Sequence, residues 1–100
     1  MADRISDADF NNSEGITGWH AESDVAVAQF DTGSFDRGVQ LVVAIGRLAD
    51  AANHHPDVDL RYPEVDVRLT THDANGLSAK DVDLARQITQ AAADLGIAAK

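Results

Sequence analysis

The chain has 100 residues, 44% of them hydrophobic, and its 17 acidic against eight basic side chains give a formal charge of -9. This length suits one compact domain, taken here as residues 1–100, which buries about two thirds of the surface its unfolded chain exposes. The basic residues are scattered and cannot neutralise a phosphate backbone, so nucleic acid is excluded as a direct ligand, and an anionic membrane surface with it.

Without cysteine there is no disulfide framework, thiolate nucleophile or thiolate zinc site. The longest strongly apolar run, LVVAI at 41–45, is far too short to span a bilayer. The start, MADRISDADF, lacks the apolar stretch of an export signal, so a soluble, cytoplasmic protein is expected.

In chain order, Ser6 before Asp7-Ala8-Asp9 reads as the N-cap of a short helix, with acids at the positive end of the helix dipole and Gly15 and Gly18 closing it. Trp19 to Glu22 and Val25 to Asp31 read as a strand hairpin turning through Glu22-Ser23-Asp24. Ser34 then caps a long helix to about Asn53. One apolar stripe holds Phe35, Val39, Val42, Ile45 and Ala49; a second holds Leu41, Leu48 and Ala52. Two stripes need two coverings, one the sheet and the other a further helix or another subunit.

Beyond His54-His55-Pro56, the residues Val58, Leu60 and Tyr62 alternate with Asp59 and Arg61, and Val65, Val67 and Leu69 alternate with Asp66, Arg68 and Thr70. Period two, twice over, predicts a second hairpin with one wet face. Asp73 to Gly76 forms a loop. Ser78 with Asp81 makes a capping box, flanked by the staple pair Leu77 and Val82, and the last helix runs to about Leu95 with Gly96 as its stop. The order αββαββα predicts an α+β fold: a four-stranded antiparallel sheet with helices packed on one face.

The chemistry-bearing residues are Asp50, His54, His55, His72 and Asp81. Asp50 and His54 stand four apart at the end of the long helix, a spacing that lets them hydrogen-bond. An aspartate at the negative end of a helix wants such a partner. The plainer reading is a helix-terminal histidine stabilised by the dipole and a Pro56 that stops the helix. His72 ends the last strand and Asp81 opens the next helix, where each also has a plain reading, as an exposed loop histidine and a capping carboxylate. Three of four histidines nevertheless fall at element ends that an antiparallel layout can bring together. Adjacent histidines seldom converge on one metal ion, and no His-x-x-x-His helix is present, so no metal is expected. Imidazoles flanked by carboxylates suit proton transfer at neutral pH: dehydration, tautomerisation or isomerisation. His20 reads as a surface residue.

The segment Asp50-Ala-Ala-Asn53-His54-His55-Pro56, Tyr62 seven residues after His55, and TTHDANGLSAKDVDLA at 70–85 together resemble the pterin-4a-carbinolamine dehydratase family; GITGW at 15–19 and the start of the long helix extend the likeness over nearly the whole chain. The resemblance implies dehydration of 4a-hydroxytetrahydropterin to quinonoid dihydropterin, recycling the cofactor of pterin-dependent hydroxylases. It implies no metal or redox cofactor, and a homodimer or homotetramer. By position, His54 and His72 match the acids for the departing hydroxyl, and His55 matches the residue that holds the pterin and takes its ring-nitrogen proton. Asp50 and Asp81 match orienting carboxylates, and Asn53 to His55 with Thr70, Thr71, His72 and Asp73 match pterin contacts. Trp19 and Tyr62 are expected as flat pocket walls or as core aromatics. Asp50 replaces a common glutamate, Val58 an aromatic found in some relatives, and Asn75 a common glycine. The competing expectation is a non-catalytic interaction module acting through the long helix.

Overall fold

A computed structural model describes residues 3–100 of the expected 1–100 domain; Met1 and Ala2 lie outside the described residues. The elements are β1 (Arg4–Ile5), α1 (Asp7–Asn11), β2 (Trp19–Glu22), β3 (Val25–Asp31), α2 (Phe35–Ala52), β4 (Asp57–Arg61), β5 (Glu64–Leu69), a single 3-10 turn (His72–Ala74), β6 (Leu77–Ser78), α3 (Ala79–Asp94) and β7 (Ala98–Ala99). This is an α+β fold whose three helices and two long hairpins follow the predicted order. The sheet is larger than predicted. Its strands run β2-β3-β5-β4, with β7 added to the edge of β3 beyond β2, and all pairs are antiparallel. β1 and β6 form a separate two-stranded ladder. These three additions are each two residues long, too short to carry a readable period.

Alternation decides which face is covered. Trp19, Ala21, Ala26, Ala28, Phe30, Val65, Val67 and Leu69 turn inward and join Phe10, Leu41, Ile45, Leu84 and Ile88 of the helices in one core. Full burial of each large side chain contributes about 1.5–3 kcal/mol. His20, Glu22, Val27, Gln29 and Arg68 stand on the open face, so His20 lies at the surface as expected.

α2 sits on the sheet through Gly38, Leu41, Ile45 and Ala49, a 3-4-4 spacing that keeps one line of contact. A Cβ at Gly38 would lie 2.6 Å from Leu60 Cδ1, so glycine lets the helix come down onto β4. The expected stripes are therefore corrected. Leu41 is fully buried and Leu48 packs against the core, whereas Phe35 (52% exposed), Val39 (38%) and Val43 (47%) stand outward at i, i+4 and i+8.

Both short-range caps read from the sequence are present. Ser6 and Asp9 form a capping box on α1, although the helix ends at Asn12 and not at the glycines. Asn11, in the last position of α1, lays its carboxamide along β2, accepting from Ala21 N–H at 2.8 Å and donating to Ala21 C=O at 3.0 Å. Ser78 and Asp81 form the box on α3.

Candidate active site

α2 stops at Asn53, which takes the left-handed conformation (φ 50°) and returns its N–H to Ala49 and Asp50 carbonyls. This turn takes His54 off the helical phase. The predicted Asp50–His54 pair does not form. His54 Nε2 lies 2.6 Å from Asp81 Oδ1, across 27 residues of sequence, while Asp50 Oδ1 bonds His55 Nε2 at 3.0 Å. The two pairs differ sharply in setting. Asp81 is fully buried and His54 is 10% exposed, whereas Asp50 is 82% and His55 59% exposed.

Asp81 is held from three sides. Its Oδ2 accepts from Thr71 Oγ1 at 2.7 Å and from Ser78 N–H at 3.0 Å, leaving Oδ1 for His54. A buried carboxylate needs such donors, since its desolvation costs several kcal/mol when unpaired. Because an ionised carboxylate only accepts, His54 is assigned its proton at Nε2, which leaves Nδ1 to exchange a proton.

His72 opens the 3-10 turn directly after Thr71. The loop is closed by a bridge between Thr71 and Gly76 (N–H to C=O distances of 2.8 and 3.3 Å), with Asn75 at φ 54° making the reversal. Thr70 Oγ1 donates to Asp24 C=O at 2.9 Å and so ties this loop to the β2–β3 turn, whose Asp24 also pairs with Arg4. The Arg4 guanidinium holds the Asp24 carboxyl below the usual carboxylate range. An open depression of about 320 Å³ lies between these turns, lined by Thr70, Thr71, His72 and Gly76 with Asp24 and Val25; His54 and His55 are not among its lining residues. His72 thus follows Thr71, whose hydroxyl belongs to the Thr71–Asp81–His54 chain of contacts, and the depression opens on the His72 side.

Of the two expectations for Trp19, the core one holds. Trp19 is a core residue, 6% exposed, packed edge-on against Phe30 with centroids 6.3 Å apart and donating from Nε1 to Thr89 Oγ1 at 2.9 Å. Tyr62 is 71% exposed in the β4–β5 turn. The length of β4, about 13 Å of strand, separates it from the histidine pair, so it forms no wall there within one chain. Thr71 is only 2% exposed and spends its hydroxyl on Asp81, so its side chain supports the site from behind. Asn53 and Asp73 are exposed at the helix end and on the turn. Among the described residues, no group of three or more His, Asp or Glu is arranged to hold a metal ion, and no helix is long and apolar enough to cross a membrane.

The sequence paired Ser78 with Asp81 as a capping box, but Thr71 as a further donor to the same carboxylate was missed. A signal was present: a capping-box carboxylate turns one oxygen to its N-cap backbone, and at a buried position the other needs a partner.

An α+β domain whose helix-capping aspartate is bonded to a histidine 27 residues away defines a class of small proteins with a carboxylate-oriented imidazole. The model of the family described as "Pterin 4 alpha carbinolamine dehydratase" matches residues 3–91, and the chain belongs to that family. A relative from Roseiflexus sp. (strain RS-1) is 45% identical over 91 residues, covering 90% of this chain and 98% of the relative. One from Natronomonas pharaonis is 39% identical over 92 residues, covering 92% and 99%. Both carry the provisional name pterin-4-alpha-carbinolamine dehydratase. A crystal structure from Brucella melitensis, titled as a transcriptional coactivator/pterin dehydratase, superposes with a TM-score of 0.83 at 25% identity, covering 90% of this chain and 99% of that one.

Proposed function

We propose that the protein is a hydro-lyase that removes water from 4a-hydroxytetrahydropterin to give quinonoid dihydropterin. The observation that carries this reading is the buried Asp81 bonded at 2.6 Å to His54, one residue's contact away from the loop bearing His72. Breaking the C4a–O bond needs an acid for the departing hydroxide, and forming the C4a=N5 bond needs a base for the N5 proton. His54, in the form whose Nδ1 also carries a proton, and His72 serve as the acids, one of them giving a single proton to the departing hydroxide; His55 takes the N5 proton, and the products are one water and the dihydropterin. Positioned proton transfer of this kind contributes about 10²- to 10⁴-fold. Asp81 orients His54, and Asp50 steadies His55. No metal or redox cofactor enters the scheme, and the reaction takes place in the cytoplasm.

The protein works as a homodimer or homotetramer assembled through Phe35, Val39 and Val43 of α2. Support comes from their exposure in one line and from the adjoining groove of about 480 Å³ that continues to Ala91 of α3 and to Leu95 just after it. The same stripe supports the second reading, an interaction module, which the coactivator in the Brucella title favours.

A stopped assay of 4a-carbinolamine dehydration with chelator present tests the reading. The parent is expected to accelerate the reaction, and His54→Gln combined with His72→Ala to lose that acceleration; glutamine keeps a donor for Asp81 so that the fold is spared. A double variant as fast as the parent would refute the assigned acids, and an inactive parent would leave the interaction module.

A further inference from the structure

Each hydroxyl behind Asp81 has one proton to give, and the contacts decide where it goes. Thr71 Oγ1 gives its proton to Asp81 Oδ2. It therefore accepts in its 2.7 Å contact with Ser78 Oγ, and Ser78 must be the donor. Ser78 Oγ in turn accepts from the backbone N–H of Lys80, at 3.3 Å, and of Asp81. The result is a directed chain from the first turn of α3 through Ser78 and Thr71 to Asp81, which meets the Nε2–H of His54. Ser78, Thr71 and Asp81 are 1%, 2% and 0% exposed, so water cannot substitute for a missing member. The backbone of Thr71 separately closes the loop that carries His72.

We propose that Thr71 is the positioning residue of this site, with Ser78 as its donor: the hydroxyl chain locks Asp81 so that His54 keeps its proton on Nε2 and works through Nδ1, while the Thr71 backbone closes the loop that carries His72. Only the catalytic consequence rests on the dehydratase reading; the tautomer lock does not.

The test is ¹⁵N–¹H correlation of the imidazoles at about pH 8, above the usual histidine titration, in the parent, Thr71→Val and Thr71→Ser. The parent is expected to show His54 protonated at Nε2 alone. Valine keeps the shape and removes the hydroxyl, and should give a mixture of both tautomers with kcat down about tenfold or more and KM within about twofold. Serine should restore the single tautomer and most of kcat. A merely structural Thr71 would change stability and leave the tautomer alone. A Thr71→Val spectrum identical to the parent's overturns the proposal, as does a parent protonated at Nδ1. Should the valine variant fail to fold, the parent tautomer and a slowly exchanging Thr71 hydroxyl proton decide: present with Nε2–H, they support the chain; absent, they overturn it. An inactive parent whose tautomer responds to Thr71→Val would sink the dehydratase reading and keep this one.

Discussion

His54 Nε2 and Asp81 Oδ1 meet at 2.6 Å, joining the residue after the α2 cap to the first turn of α3. Asp81→Asn keeps the shape of this pair but replaces a pure acceptor by an amide whose donor half opposes the Thr71 or His54 donors. Dehydratase turnover is expected to fall about a hundredfold, with a loss of about 1–3 kcal/mol in urea stability from the disturbed buried contacts. Steady-state kinetics beside a denaturation curve would separate the two, and turnover near the parent's would remove Asp81 from the mechanism.

Asp50→Ala should behave quite differently. Its pair with His55 is exposed on both sides, and exposed ion pairs contribute little. The aspartate also faces the negative end of α2, so its removal should leave stability unchanged or raise it by a few tenths of a kcal/mol. Turnover is expected to stay within about threefold of the parent, a far smaller effect than at Asp81. A larger loss at Asp50 than at Asp81 would reverse the ranking of the two carboxylates.

Val43→Arg places a charge in the middle of the exposed α2 stripe. The mass in solution, read by light scattering, is expected to drop to that of a smaller assembly while the monomer fold persists, because Val43 adds nothing to the core. Leu41→Arg, by contrast, should unfold the chain, since it buries a charge where a fully buried leucine stood. An unchanged mass for Val43→Arg would show that assembly uses another surface.

Asp66→Asn tests the open face of the sheet. Burial, then the neighbouring Glu64 carboxyl and the Asp59 charge, push the Asp66 carboxyl above the usual range, and Asp59 stands directly opposite it in the β4–β5 register. The folded chain therefore binds this proton more tightly than the unfolded one. That stabilisation is complete below the unfolded pKa and is lost as pH rises through the folded value. The asparagine variant should be more stable than the parent by about 0.2–1 kcal/mol at neutral pH, with the gain vanishing in acid. A constant difference in urea midpoint across that range would show that charge is not the cause.

Much of the fold was legible because alternation and capping are local. The Ser6 and Ser78 caps, both hairpins and the ends of α2 and α3 need only neighbours within a few residues. The site was legible as a set of residues and not as a set of pairs. Helical spacing joined Asp50 to His54, and that inference assumes that the helix continues through Asn53; one left-handed residue hands Asp50 to His55 and frees His54 for a carboxylate 27 residues away. Long-range choices of this kind depend on how α3 lies against the end of α2. The alternation that included Tyr62 ran one residue past the strand, and the α2 stripes could not be ranked until Gly38 set which line of residues approaches β4.

The carboxamide of Asn11 occupies both backbone groups of Ala21 on the outermost strand β2. An edge strand exposes groups through which a stray chain can add itself, and here a single side chain imitates that visitor and takes its place. The border of the sheet nearest the N-terminus is thereby shut at its middle, and a crowded solution finds no template for ribbon growth at that point.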